Sequence, residues 1–447
     1  MTGRATKASL LMGALGLLVA LPGVGLAAGT ETSTTPADPL FRAVRPPDPV
    51  RLEPLRLLGR LPGELLELTF VPLIPLVQAV ERYRIAERII DVITNDELTF
   101  AAAPIIEPFN TSGLGLGAVV LQNEPLGSPD LLVAIGLVRL NGDRQLSVSL
   151  GRRLPGLSGR VVQVAGAYSV DRDIGWFGLG PDSELSDQRL LRRDDLRVTA
   201  GLSELFPNVI NIDASFGFGY RRRGLSTGTG DQAPPLRRDG DVSVPPGFDR
   251  DADYLEGEAF LRFDTRDGLG RTTRGLVWSL SANGSHEVAV GSGGAPTGGV
   301  LGTSQFTLFL PVLPRNRVVV LSAGVSAALP LFDGDEVPLH QLVNLGGANT
   351  LRGYQPDRFI DRFGWWSSAE YRFLLSDYGG SLLGLSGAVF VDVGRVSRRF
   401  EDLVPGNLPW SVGLGLRFET DVLLLGRVQV ALSPDGVRFS VGVGEWF

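Results

Sequence analysis

One arginine set among glycines, and two carboxylates set in alternating sequence further on, are the residues of this chain best placed to do chemistry. The arginine stands in the run Leu345-Gly346-Gly347-Ala348-Asn349-Thr350-Leu351-Arg352-Gly353-Tyr354, and the carboxylates are Glu370 and the Asp392 of Phe390-Val391-Asp392-Val393-Gly394. A guanidinium keeps its charge at any ordinary pH and offers a planar fork of donors that matches a carboxylate. Gly346, Gly347 and Gly353 let backbone approach where a Cβ would obstruct it. The chemistry on offer is a charge-assisted clamp that pins a loop to a wall. On residue types alone a second reading stays open, in which Arg352, Asp392 and Glu370 are separately solvated charges.

Other chemistries are poorly supplied, and the chain is expected to be no enzyme. Only His286 and His340 are present, both in expected loops with no nucleophile-elbow pattern nearby. There is no cysteine, which excludes disulfides and thiolate chemistry and suits passage through an oxidising compartment. Gly113-Leu114-Gly115-Leu116-Gly117 sits in a strand pattern with no following helix, so it is not a phosphate loop. Asp249, Asp251 and Asp253 read as a solvated loop, with divalent-cation binding the weaker alternative. No cofactor is expected. A net charge of −7, with Lys7 as the only lysine, argues against nucleic acid as a partner.

The elements that would position the clamp are strands. From about residue 97 the hydropathy period is two. In 410–419, Val412, Leu414, Leu416 and Phe418 alternate with Ser411, Gly413, Gly415, Arg417 and Glu419. In 366–373, Ser368, Glu370 and Arg372 share the polar face, while Ala369, Tyr371 and Phe373 point to lipid; Phe390, Asp392 and Gly394 point inward. Apolar-out with polar-in is what lipid outside and water inside require. About sixteen such strands follow, beginning near residues 98, 113, 129, 144, 160, 191, 207, 253, 274, 301, 316, 366, 384, 410, 424 and 436, an even number as single-chain bacterial barrels require. Their joins sort by parity: short ones on the periplasmic side, and long ones at 170–190, 223–251, 330–365 and 395–408 on the other. The fold expected is an all-β, sixteen-stranded antiparallel transmembrane barrel. Trp176, Phe177, Trp365, Trp366, Trp410 and Trp446, near strand ends, suit interfacial girdles.

The N-terminal part differs in kind. Residues 1–28 carry Arg4, Lys7, an apolar run and small residues, the pattern of a secretory signal. Residues 29–50 are Thr- and Pro-rich and read as a tether. Within 51–96 an apolar stripe of Leu73, Leu76, Val77, Val80, Tyr83, Ala86, Ile90 and Ile93 opposes Gln78, Glu81, Arg82, Arg88 and Asp91, which predicts a periplasmic amphipathic helix. It is expected at the rim or mouth of the barrel. The barrel occupies 97–447.

The glycine-arginine loop and the Phe-Val-Asp-Val-Gly strand together resemble the outer-membrane assembly and translocation barrels of the bacterial surface antigen superfamily, the BamA–TamA type. Asp264-Thr265-Arg266-Asp267 and the nearby Gly275 are similar to that family's periplasmic turn, and Leu351 stands where Val or Ile is usual. The resemblance implies that the tip Arg352-Gly353-Tyr354 folds back into the lumen against the inner wall. It also implies a lateral gate between first and last strands. Here Pro104 and Pro108 remove ladder donors from the first strand, Gly442 and Gly444 weaken the last, and the terminal Phe447 is similar to a barrel assembly signal. Residues 29–96 are too short and too Pro-rich for one of the family's periplasmic POTRA repeats, so none is expected here. Function by resemblance is insertion or translocation of polypeptides, or lipids, with outer-membrane lipids and lipopolysaccharide, client proteins and a separate POTRA protein as expected partners. A passive pore gated by the same loop and an adhesive surface protein are the alternatives.

Overall fold

The computed structural model describes residue 95 and residues 99–442, apart from short stretches at 111–112, 128–129, 155–159, 207–210, 269–270, 290–295, 314–316, 378–383, 404–405, 407 and 420–423. The expected signal (1–28), tether (29–50) and amphipathic stripe (73–93), together with Gly444, Trp446 and Phe447, lie outside the described residues.

Alternating sequence becomes alternating structure. The strands are β1 (Phe100–Asn110), β2 (Gly113–Asn123), β3 (Asp130–Arg139), β4 (Arg144–Arg153), β5 (Arg160–Trp176), β6 (Arg189–Phe206), β7 (Asn211–Thr227), β8 (Arg250–Asp264) and β9 (Gly275–Ala289). They continue with β10 (Gly298–Leu313), β11 (Arg317–Pro330), β12 (Val343–Leu345), β13 (Phe359–Asp361), β14 (Phe363–Asp377), β15 (Gly384–Ser397), β16 (Trp410–Glu419), β17 (Leu424–Ser433) and β18 (Gly436–Gly442). Sixteen of them form one antiparallel sheet in chain order, with β14 following β11. The sheet curls until β1 and β18 approach each other, giving a closed transmembrane barrel. No hydrogen-bonded ladder joins β1 to β18 among the described residues. The largest displacement of an expected strand start is at β7, near 207 in sequence and at Asn211 in structure.

In β16, Val412 and Leu414 stay exposed at 39% and 43%, while Arg417 and Glu419 are buried. That inversion of the soluble-protein rule is stable only when hydrocarbon covers the outer face. No helix among the described residues is long and apolar enough to cross a membrane.

The joins at the extracellular end do more than connect. The β11–β14 join carries β12 and β13, which pair as a short hairpin with Val343 opposite Asp361 and Leu345 opposite Phe359. Its Leu345, Leu351, Tyr354 and Ile360 form an apolar core with Leu236 and Phe248 of the β7–β8 join and with Trp176, Trp366 and Val396 of the wall. Loops thus fill the extracellular half of the lumen. Three of the expected girdle aromatics belong to this interior: Trp176, Phe177 and Trp366 are almost wholly buried. Trp366 enters because Gly324 opposite it has no side chain, so the indole lies where a Cβ would stand, 2.1 Å from it. Phe373, expected against lipid, is buried over Gly387 in the same manner. Trp410 does remain on the outside, at 43% exposure.

Candidate functional site at the lumenal loop

The site is the apex of the β12–β13 hairpin where it meets the inner wall of β14 to β17. Two left-handed glycines turn the chain there, Gly346 at φ 124° and Gly347 at φ 79°. A Cβ on Gly346 would stand 2.1 Å from the Gln355 carbonyl oxygen, so the turn demands glycine. The Thr350 hydroxyl donates to the Gly346 carbonyl and accepts from the Gly346 N–H, and the Gly347 N–H donates to Tyr354 O. The apex is therefore preformed by its own hydrogen bonds.

Arg352 extends from that apex into the wall. Its Nη2 donates to Asp392 Oδ1 at 2.6 Å and its Nε to Oδ2 at 3.0 Å, the bidentate geometry, while its backbone N–H also donates to Asp392 at 3.1 Å. Nη1 donates to Glu370 at 2.5 Å, and Nη2 to Ser368 Oγ at 2.8 Å. The guanidinium carbon sits 3.4 Å from the Phe390 ring centroid, a cation–π contact. Ser368 and Ser411 hydroxyls also donate to Asp392, whose side chain has no exposed surface. Burial pulls the Arg352 pKa down, but Glu370 and Asp392 outweigh it and hold it above its ordinary value.

Register explains why these side chains meet. Ser368 lies opposite Asp392, and Asp392 opposite Ser411, so three neighbouring strands present one polar row. Glu370 lies opposite Phe390 in the row beside it. Gly353 sits flat on this wall, since a Cβ there would stand 2.7 Å from the Ser411 Cβ and 2.8 Å from the Ser433 Cβ. Gly394 does the same from the wall side, where a Cβ would stand 3.2 Å from Leu345 Cδ1. Tyr354 is buried edge-on to Phe359 at 5.1 Å between centroids, and burial with the nearby Asp435 pushes its hydroxyl pKa up to about 12. Further toward the periplasm, Arg427 donates to Ala348 O and Asn349 Oδ1.

Of the seam residues, Pro104 and Pro108 lie within β1, with Pro104 opposite Ala118 and a register shift between Glu107 and Asn110. Gly442 is the last residue of β18 and lies opposite Arg427. The periplasmic turn is tied by Arg266 Nη2 donating to Asp264 at 2.6 Å and by Asp267 accepting the Thr273 N–H at 2.9 Å, with Gly275 at φ 125°.

Two groups of functional residues are not singled out by the sequence. Arg358, where the apex loop returns into β13, donates to Asp435 at 2.7 Å and to Ser183 Oγ at 2.7 Å, and lies 4.6 Å and 4.7 Å from the Phe177 and Phe359 rings. It staples three extracellular connections together. On the far side of the hairpin is a cavity of about 280 Å³ lined by Arg193, Arg197, Arg221, Arg223, Glu256 and His340. The cations are matched by acids, with Arg197 donating to Glu256 at 2.6 Å and Arg193 to Asp171 at 2.8 Å. His340 shares a hydrogen bond with Ser285 at 2.9 Å, and burial followed by the four arginines holds its pKa well below the usual value. The even spacing of Arg193, Arg197, Arg221 and Arg223 on inward positions was the available signal.

Two loop assignments are corrected. His286 lies in β9, 3.5 Å from Asp335, because the β9–β10 hairpin extends beyond the alternating segment that marks it in sequence. Asp251 and Asp253 lie in β8, paired across the sheet with Arg222 and Tyr220. No grouping among the described residues suits a metal ion.

A sixteen-stranded barrel whose own extracellular hairpin is clamped inside it defines a class of outer-membrane protein. The Omp85 superfamily domain matches residues 139–447, and the chain belongs to that superfamily; its place is the bacterial outer membrane. In fold it is similar to BamA from Haemophilus ducreyi lacking POTRA domains 1–3, with a TM-score of 0.53, 15% identity, and coverage of 78% of this chain and 70% of that one. It is equally similar to CdiB from Escherichia coli, with a TM-score of 0.53, 15% identity and coverage of 77% of this chain and 62% of that one. No curated protein matches the chain by sequence.

Proposed function

We propose that this protein inserts or translocates polypeptides, or lipids, at the outer membrane by opening between β1 and β18, with the clamped hairpin holding the barrel in the shape from which that opening starts. The observation that carries the reading is the Arg352 clamp, because it fixes one loop to β14, β15 and β16 by direct hydrogen bonds to Ser368, Glu370 and Asp392 and, through Asp392, to Ser411. A loop held at that many points is a structural brace rather than a spare connection. The weak element lies elsewhere, at β1, where Pro104 and Pro108 remove donors, and at β18, whose Gly442 has no side chain to pack. An unpaired edge templates a strand from a client. The mechanism needs no cofactor and no covalent step. Lipids and lipopolysaccharide surround the barrel in this reading, and a separate POTRA protein delivers clients.

A permanently open pore is the weaker reading, since Leu236, Phe248, Val343 and Tyr354 pack as an apolar core inside the extracellular mouth. The test is reconstitution in liposomes with an unfolded outer-membrane barrel as client. The wild-type protein should accelerate appearance of the folded, heat-modifiable client over empty liposomes, and Arg352→Ala should not. Equal rates for the wild type and empty liposomes would overturn the proposal.

A further inference from the structure

The first three strands break the rule that the rest of the barrel follows. Asp130–Arg139 reads DLLVAIGLVR and Gly113–Asn123 reads GLGLGAVVLQN, so both faces of the sheet are apolar here. The outer face behaves as lipid-facing surface should, with Leu116 at 56% and Val138 at 58% exposed. The inner face does not behave as a water-lined lumen: Val119 is at 1%, Val133 at 5%, Ile135 at 6% and Leu121 at 7%. Ala101, Ala103, Ile105 and Leu131 pack with them. Register puts them in one patch, with Val119 opposite Ile135 and Ala103, and Leu121 opposite Val133 and Ala101. On β4 the inner face turns polar again, with Ser147 opposite Ile135.

Every member of this cluster comes from β1, β2 or β3, and no residue of the extracellular loops joins it among the described residues. Left against water, side chains of this size would cost about 1.5–3 kcal/mol each. A sheet that is apolar on both sides is a sheet covered on both sides.

We infer that this wall is a lumenal docking site for the chain's own amphipathic segment, residues 73–93, lying lengthwise on β1, β2 and β3. The segment supplies the matching surface: Leu73, Leu76, Val77, Val80, Tyr83, Ala86, Ile90 and Ile93 form one stripe, with Gln78, Glu81, Arg82, Arg88 and Asp91 opposite it. As a helix it spans roughly 30 Å, ample for a patch of seven strand residues at roughly 3.3 Å each. It also begins at the right place. Asn95 closes a turn at the periplasmic foot of β1, its N–H donating to Phe100 O at 3.1 Å and its side chain to Thr99 at 2.8 Å. The stripe therefore ends next to the strand whose inner face needs covering.

The chain has no cysteine, so introduced thiols report alone. In the full-length protein, Ile135→Cys should react with a membrane-impermeant maleimide roughly tenfold or more slowly than the same variant lacking residues 73–93, the protection expected of a site reached only by rare opening. Equal slow labelling would mean that lipid or a client covers the wall, and equal fast labelling that nothing does; either overturns the inference. Should the deletion prevent assembly, Val80→Cys paired with Ile135→Cys should form a disulfide, and Val80→Cys paired with the outward Ala134→Cys should not. Cross-linking of both pairs, or of neither, overturns it as well.

Discussion

Replacing Arg352 by alanine removes the cation from a site built around it, and the cost can be worked from the geometry. Asp392 would keep the Ser368 and Ser411 hydroxyls and the backbone N–H of residue 352 but lose the two side-chain donors of Arg352, the bidentate Nε and Nη2 pair, while staying without exposed surface. Glu370 would keep Arg372 at 2.7 Å, with Arg417 at 3.8 Å, and so is partly compensated. Removing one partner of a buried charge pair costs about 3–5 kcal/mol, and loss of the cation–π contact with Phe390 adds about 1 kcal/mol. This cost falls on the docked state of the hairpin and leaves the barrel ladders intact, so a docked-to-free ratio should fall by roughly three to four orders of magnitude. Limited proteolysis of the unheated, folded barrel reads that ratio at 346–358. Arg352→Ala should be cut there while the barrel retains its heat-modifiable migration. Arg352→Lys, with charge but no fork, should fall between. In a double-mutant cycle with Asp392→Ala, the two losses should not add, because either change removes the same contact. Unchanged protection in Arg352→Ala, or strictly additive losses, would refute the reasoning.

Other expectations follow from neighbouring geometry. Gly353→Ala should lift the apex from the wall by crowding Ser411 and Ser433, at a cost of about 1–3 kcal/mol, seen as increased cleavage of the hairpin without loss of barrel assembly. Arg358→Ala should loosen the joins carrying Ser183 and Asp435 together, which hydrogen exchange would register as a simultaneous loss of protection in both. His340 should make the hairpin's docking acid-sensitive: its docked pKa is depressed, so docking is unaffected above its free value near 6.5 and weakens as pH falls below it, by up to about 1.4 kcal/mol per pH unit. His340→Gln should flatten the pH dependence of proteolysis between pH 7 and pH 5.

The parts of the fold that were legible in sequence are those fixed by a two-residue period. Val412, Leu414, Leu416 and Phe418 against Ser411, Gly413, Arg417 and Glu419 leave β16 no second register, because a one-residue slip would put Arg417 into lipid. The same alternation placed Asp392 and Glu370 on an inner face, and the motif around Arg352 pointed the loop toward them. What it could not show was which contacts close. The β12–β13 hairpin has three residues per strand, too few to carry a period. Trp176 sits near a strand end whether it faces lipid or the loop core, whereas Trp366 shares the inward parity of Ser368 and Glu370, and the space over Gly324 is what lets its indole lie against the wall. In β3 the run Leu131 to Val138 is apolar at nearly every position, so alternation reports nothing about which face is wet. Arg358 stands alone in a loop, and its partners Ser183 and Asp435 come from distant parts of the chain.

The central claim is that function passes through the junction of β1 and β18 while the hairpin stays clamped. Cysteine pairs placed along 101–105 and 437–441 should trap that junction as a disulfide, and the trapped protein can be compared with its reduced form in the same liposomes using an unfolded barrel as client. Client folding should stop in the oxidised protein and return on reduction. Equal client folding in both states would contradict the account.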